Sequence, residues 1–495
     1  MNMYFALPKS EPLPHGSAQL WHPGCERERL QLSELGAKAV SHVPRAQLTF
    51  KNWLNAVARL NEAACTTFSA EAALASLTTE FRRLWLTVAH EASDLEAKLT
   101  SPGNTQTHFR DDGETEPIAL ENRCTANAQK PIGWCSEHVL FSSAQGALAS
   151  ILLWAQEESF WCVDQSAHLT FAGASCETKD LLDVLRTTGL SWSEPGKTDP
   201  VIEGTSRPSR VILIEPVFFD EGVNVFNIAE FQRVWRNHCA ASHTSAPILI
   251  VLDTTLLGAQ FPLEELLEGL VGSKAPTLIT VRSGMRLDQA GLELANVGIV
   301  SVYRPESEIA HTKQIADRLR TIRSSTGVGL TLDETAALDA PWFLDRDHAK
   351  HYAKAVFQNN ALLAAALSNS HQLFRQVLYP NFADASSLWA KAPYSVLRLR
   401  EPSAENYDTL ARIIAYECAH RNLLFDRGGG FGLRGHRYDI ITPATEACEP
   451  FLRIAMGARD GPSCDGIIKL LQELASCECI SDLRANYLNV RCSLH

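Results

Sequence analysis

Asp253 ends the apolar run ILIVLDTTLLG (Ile248–Gly258), which is short, flanked by a proline and a glycine, and suited to a buried parallel strand. A carboxylate there costs several kcal/mol to desolvate unless a cation meets it, and a protonated ring nitrogen of a bound ligand would serve. Capping the next helix or facing water at the strand end is the alternative. Thr254 and Thr255 follow directly. A second apolar run, TLITVRSGMRLDQAG (Thr277–Gly291), ends in Ser283, whose hydroxyl could reach an anion, and carries Arg286 three residues later. A guanidinium stays protonated and has no nucleophilic lone pair, so Arg286 can pair with an anion but cannot form an imine. The nearest amine is Lys274, which precedes that strand.

Two further stretches offer anion contacts. FSSAQGALASIL, from Phe141, places Ser142, Ser143, Ala144, Gln145 and Gly146 between a strand end and a helix start, where free backbone N–H groups bind phosphate. Simple helix capping by a serine explains the same residues. Arg453, in FLRIAMG, is flanked by Leu452 and Ile454 on a half-buried strand and needs an anionic partner, either a ligand carboxylate or a structural ion pair. Arg434, His436 and Arg437 lie at the entry to the glycine-rich strand GGGFGLRGHRYDII, where they could reach the same cleft or remain in solvent.

The elements that must hold these residues alternate. After Pro131 the order is HVLFSS, ALASILLWAQEE, FWCVDQ, TKDLLDVLRTTG, RVILIEPVF, AEFQRVWRNHCAAS, ILIVLDTT and TLITVRS, with ANVGIVSVY adding a strand. Short strands separated by helical periods predict a doubly wound, mostly parallel α/β sheet, whose ligands sit beyond the carboxyl ends of the strands. The expected organisation is an N-terminal arm and helical extension over 1–130, a large α/β domain over 131–325, and bridging helices with a smaller α+β domain over 326–495. Within the first part, residues to about Arg45 read as an irregular arm. Leu48–Leu99 reads as two amphipathic helices, and 101–130 as a polar linker.

This order of parts resembles the fold type I pyridoxal-phosphate (PLP) enzymes, the aspartate aminotransferase superfamily, and within it the cystathionine gamma-synthase-like branch of Cys/Met metabolism. The resemblance covers residues 131–495. It implies that Asp253 pairs with the pyridine nitrogen, that Ser143, Gln145, Gly146, Thr255 and Ser283 line the phosphate and ring, and that Glu215 lies near the ring. Phe171, or less well aligned Cys176, takes the place of the aromatic that stacks on the ring. Arg453 matches the family arginine that grips the substrate α-carboxylate, with Arg434 near the same cleft. In the family a Ser-x-x-Lys supplies the lysine that holds the cofactor as a Schiff base, and here that position is Arg286. The resemblance therefore implies either a transferase or lyase acting on an amino acid, with pyridoxal or pyridoxamine phosphate held non-covalently and His168 or His436 as base, or a pseudoenzyme with a binding or regulatory role. A homodimer is the expected assembly.

Composition narrows the classes. The net charge is −12 over 495 residues and no basic stripe occurs, which argues against a nucleic-acid partner. Thirteen scattered cysteines in apolar segments suggest reduced thiols, and the Cys477/Cys479 pair lacks zinc-ligand spacing, so no metal is expected. No apolar run reaches membrane-spanning length and the N-terminal residues do not resemble a signal peptide, giving a cytoplasmic expectation.

Overall fold

The computed structural model describes residues 22–60, 67–99, 116–128, 130–158, 160, 168–172, 176–187, 191–193, 211–218, 223–241, 248–270, 275–369, 372–380, 389–442 and 449–487. The N-terminal extension is helical from its first described turn: α1 (Pro23–His42), α2 (Gln47–Arg59), α3 (Thr67–Leu99) and α4 (Ile118–Ala126). The irregular arm expected before Arg45 is therefore corrected to a helix over Pro23–His42, its first 21 residues lying outside the described residues, and part of the expected linker is α4. The periodicity of α1 was masked because its apolar positions Leu32, Leu35 and Ala39 share a buried face with a charged residue, Glu28.

The large domain follows. Its elements are β1 (Trp134–Phe141), α5 (Ala144–Glu157), β2 (His168–Ala172), α6 (Cys176–Arg186), β3 (Ser191–Ser193), β4 (Val211–Ile214), α7 (Ile228–Ala241), β5 (Leu249–Asp253), α8 (Leu263–Glu268), β6 (Thr277–Ser283), β7 (Gly298–Pro305) and α9 (Ile309–Thr326). The seven strands lie in the order β3-β2-β4-β5-β6-β7-β1. All run parallel except β7, which is antiparallel to both β6 and β1. The second strand is HLTFA; the expected FWCVDQ falls largely outside the described residues.

Side chains alternate across each strand, so the sheet has two separate cores. Val139, Val251, Val281 and Val300 face α5 and α9. Ile214, Leu252 and Leu278 face α7, α8 and the bridging helix α11. Residues after α9 form α10 (Leu332–Leu338), entered by a capping box between Thr331 and Glu334, and α11 (Arg346–Leu367), capped by Asp345.

The smaller domain contains β8 (Phe374–Leu378), β9 (Ser395–Leu399), α12 (Ala404–Arg421), β10 (Phe425–Arg427), β11 (His436–Ile441), β12 (Phe451–Ala455), α13 (Pro462–Ala475) and α14 (Ile480–Asn486). Its sheet runs β10-β11-β12-β9-β8. The extension does not stand apart. Phe50, Trp53, Phe81 and Trp85 share a core with Leu292, Leu330, Trp342 and Phe343, and Trp85 donates to the Ala337 carbonyl at 2.8 Å. It also reaches the smaller domain, where the Glu71 carboxylate accepts from the Ser463 N–H and hydroxyl at the start of α13.

Candidate functional site

Asp253, Thr255 and Ser283 form one hydrogen-bonded set at the carboxyl edge of the large sheet. The Thr255 N–H donates to the Asp253 carboxylate at 2.8 Å, and the Thr255 hydroxyl accepts from the Ser283 N–H at 2.9 Å. Asp253 aligns with Val281 across β5 and β6, so Asp253 and Ser283 project to the same face of the sheet.

The helix-start turn reaches the same edge. Ser283 pairs with Gly298 across β6 and β7, and a Cβ at Gly298 would collide with the Ser143 carbonyl, so only glycine permits this approach. Ser143 caps α5, its hydroxyl accepting from the Gly146 N–H at 3.0 Å, while Gln145 is exposed. That hydroxyl therefore performs the capping role and takes up the Gly146 N–H.

Electrostatics at Asp253 favour a positive visitor. Burial pushes its carboxyl above the usual range, the Thr255 donors pull it back, and the like charge of Glu177 on α6 pushes it up further. Glu215, just past β4, is buried and accepts from the Thr178 hydroxyl at 3.2 Å. At Asp253 itself these acids suit a cationic group. Glu177, unremarkable in the sequence, is a residue that pattern reading missed.

Other predicted residues are placed elsewhere. Phe171 lies within β2, wholly in the core and edge-on to Trp192, so its ring is packed away from the sheet edge. The strand period required this, since Leu169, Phe171 and Leu213 line the same core. Lys274 and the side chains of Cys176 and His168 lie outside the described residues.

Arg434 is neither solvated nor facing a cleft. Its guanidinium makes two hydrogen bonds to Glu28 of α1, at 3.1 and 2.7 Å, and one to the Ala290 carbonyl at 3.2 Å. His436 is likewise buried. Its Nδ1 accepts from the Gly457 N–H at 3.1 Å, which leaves the proton on Nε2, and burial drives its pKa down to about 3. A ring that stays neutral and has its Nδ1 occupied is unsuited to act as a general base.

Arg286 extends from the β6–β7 connection toward the smaller domain. Its Nε donates to Glu293 at 3.2 Å, and its guanidinium lies over the Phe431 ring and against Gly430. Arg453, on β12, lies over Tyr394 with Asp439 at 3.6 Å, and its Nη2 faces Gly429. Both arginines therefore border the glycine loop between β10 and β11. Arg437 donates to the Gly429 carbonyl at 3.2 Å, on the outer side.

The connection that bears Arg286 is held by the extension. Arg82 of α3 donates to the carbonyls of Leu292 and Glu293, both at 2.7 Å. Ala290 and Glu293 both adopt left-handed backbone, with φ of 54° and 47°. Such residues persist where their surroundings hold them.

The opposite face of the sheet, also missed by pattern reading, has a cavity of about 90 Å³ lined in part by His138, Thr280, Arg282, Asp288, Ser301 and Tyr303. Arg282 makes paired hydrogen bonds to Asp288 at 3.0–3.2 Å, and burial lowers His138 to about 3. Alternation along β6 puts Arg282 on the side away from Ser283, so this cavity is separate from the Asp253 edge. Among the described residues no group of His, Cys, Asp and Glu could hold a metal, and no helix is long and apolar enough to cross a membrane.

No family model matches the sequence, and no protein of curated function matches it. Solved structures do match the fold. A methionine gamma lyase from Micromonospora echinospora superposes with a TM-score of 0.53 at 17% identity, covering 76% of this chain and 90% of the other. Cystathionine gamma-lyase from yeast gives 0.52 at 16%, with coverages of 76% and 90%. A protein assigned as an O-acetylhomoserine (thiol)-lyase from Campylobacter jejuni, which carries a pyridoxyl-lysine monophosphate, gives 0.52 at 13%, with coverages of 73% and 85%. These likenesses show the fold: a large mixed sheet with flanking helices and a smaller sheet domain, as in the PLP-dependent enzymes.

Proposed function

We propose that the chain binds a pyridoxal- or pyridoxamine-phosphate cofactor non-covalently at the carboxyl edge of the large sheet, together with an amino-acid ligand, in the manner of transferases and lyases built on this fold. The observation that carries this reading is Asp253: a desolvated carboxylate, raised further by Glu177, at the position where a pyridinium N–H would supply the missing positive charge. The residues fit the group in part. Ser283, Thr255 and the Ala144 and Gln145 amides would hold the phosphate and ring edge, beside Ser143 and Gly146, and Asp253 would hold the ring nitrogen. When bound, the cofactor supplies an electron sink for charge developing at the amino-acid α-carbon. Arg453 would orient the ligand carboxylate. Arg286 would act as an anion contact, since it offers no amine.

A second reading, a catalytically silent binding protein, is favoured by a specific observation. Arg286 is engaged by Glu293 and Phe431, and His436 is locked neutral, so neither supplies a base. The two readings separate in one experiment. Absorbance of the purified protein is recorded with added pyridoxal phosphate, before and after borohydride, beside an Arg286→Lys variant. The proposal expects saturable binding in both proteins and a borohydride-fixed chromophore only in the variant. No saturable binding in either overturns it. Turnover of amino acids by the native protein decides between the enzyme and the silent form. We further propose a homodimer, which light scattering tests directly.

A further inference from the structure

We propose that the cavity on the far face of the large sheet, between β6, the start of α11 and the end of α4, binds one small monovalent oxyanion of the carboxylate type, at a place separate from the Asp253 edge. The sheet face that lines it is polar where a buried face is ordinarily apolar. Thr280, Ser301 and His138 stand in one cross-strand row, Thr280 opposite Ser301 and Ser301 opposite His138, and each is at most 4% exposed. His138 Nδ1 lies 2.8 Å from Ser301 Oγ, and Thr254, just past β5, adds another buried hydroxyl. Buried polar groups cost free energy unless they meet partners. The cavity of about 90 Å³ beside this row has room for a few waters or for one ion of acetate size.

Charge favours the ion. Arg346, the first residue of α11, lines the cavity, and its Nε is buried with no hydrogen-bond partner among the described residues. The helix dipole disfavours a cation at that end and favours an anion beside it. A water would satisfy the N–H and leave the charge unmatched, whereas an oxyanion answers both.

The two carboxylates in the lining are already matched. Asp288 takes paired hydrogen bonds from Arg282. Asp345 caps α11 through the His348 N–H at 3.1 Å and meets Lys38 at 3.4 Å, while Glu34, which also meets Lys38, is mostly in solvent. Arg282, Asp288, Arg346, Asp345 and Lys38 together carry one positive charge, which sets the ligand as a monoanion. The Arg282 bonds to Asp288 run through Nε and Nη2, so Nη1 remains for a further acceptor. Cys124, Asn127 and Ala128, at the end of α4, supply one wall, with Asn127 exposed at its rim. The N-terminal extension therefore helps to close this cavity as well as bracing the connection after β6.

The test titrates the full chain with acetate, nitrate and acetamide, with sodium gluconate holding the ionic strength because its anion is too bulky for the cavity. Arginine-selective isotope labelling reads the site directly. The Arg346 Nε–H signal, identified by its absence in Arg346→Lys, should shift saturably with acetate and with nitrate in the native chain, a result that misfolding of a variant cannot mimic. Calorimetry should show acetate binding at least about tenfold tighter than acetamide, its neutral isostere, the difference that a charge-assisted hydrogen bond makes. Arg346→Gln should bring acetate down to the acetamide level and leave pyridoxal phosphate binding, read by absorbance, as it is in the native chain. An Arg346 signal that stays in place through the titration means that the cavity holds water alone, and overturns the proposal. Equal binding of acetate and acetamide overturns it too, as does acetate binding that survives in Arg346→Gln, which would place the anion elsewhere on the molecule.

Discussion

The guanidinium of Arg286 lies 5.3 Å from the centre of the Phe431 ring, joining the connection after β6 to the glycine loop of the smaller domain. Glu293 fixes the near end of that guanidinium, and Arg82 of the N-terminal extension fixes the backbone of Glu293. Residues far apart in the chain thus converge on Arg286. The extension, which has no counterpart in the sequence resemblance, is part of how that position is held.

Removing Arg82 tests that support. Its Nε and Nη2 bond the carbonyls of Leu292 and Glu293, next to two left-handed non-glycine residues. Arg82→Ala should cost about 1–3 kcal/mol, the range for losing hydrogen bonds from a charged donor. Amide hydrogen exchange should speed up in 286–297 while the strands of the large sheet stay protected. Unchanged exchange there would show that the connection holds its own shape.

Arg434 and Arg453 should separate cleanly on substitution. Arg434 and Glu28 are both about 4% exposed at the side chain, and truncating either leaves the other charge buried and unpaired. Arg434→Ala should lower stability by about 3–5 kcal/mol, read as a shifted denaturant midpoint. Arg453→Ala, whose partner Asp439 is partly exposed, should shift that midpoint far less. Equal shifts would mean that Arg453 is as structural as Arg434.

Much of this division was legible in the sequence and part was not. Strand ends such as Asp253 and Ser283 announce themselves because a polar residue closing an apolar run is costly unless it is used. The register through Thr255 then brings them together. Arg434 and Glu28 are more than four hundred positions apart, so no local pattern could reveal that one buries the other. Phe171 looked available for stacking because an aromatic near a strand end is common to both roles, and only the strand's two-residue period assigns it to the core. The helix α1 was hidden by its own buried charge, and the antiparallel β7 by the fact that an apolar strand reads alike in both directions.

Asp253→Asn probes the sheet edge. Burial and Glu177 hold its carboxyl above the ordinary range, so the ionised form opposes folding and the cost grows as pH rises through the native value. Replacing the carboxylate with an amide should raise the melting temperature of the ligand-free protein more at alkaline than at acid pH. Affinity for pyridoxal phosphate should fall by about 10- to 100-fold, the loss of one charge-assisted hydrogen bond. A variant that melts lower and binds as before would mean that Asp253 supports the fold and not a ligand.

Acid should unfold the protein through its buried histidines. Burial lowers His138 and His436 to about 3 and His348 to about 4, from an ordinary value of 6.5. Between those limits the unfolded chain binds protons that the native state refuses, so stability falls as pH drops below 6.5 and levels off near 3. Each ring contributes a slope approaching about 1.4 kcal/mol per pH unit within its window. His436→Gln keeps a side-chain oxygen to accept from the Gly457 N–H and removes the titration. It should therefore flatten the pH dependence of urea unfolding between pH 4 and 6 by roughly one proton's worth, whatever its effect at pH 7. A slope unchanged in that variant would place the proton uptake elsewhere.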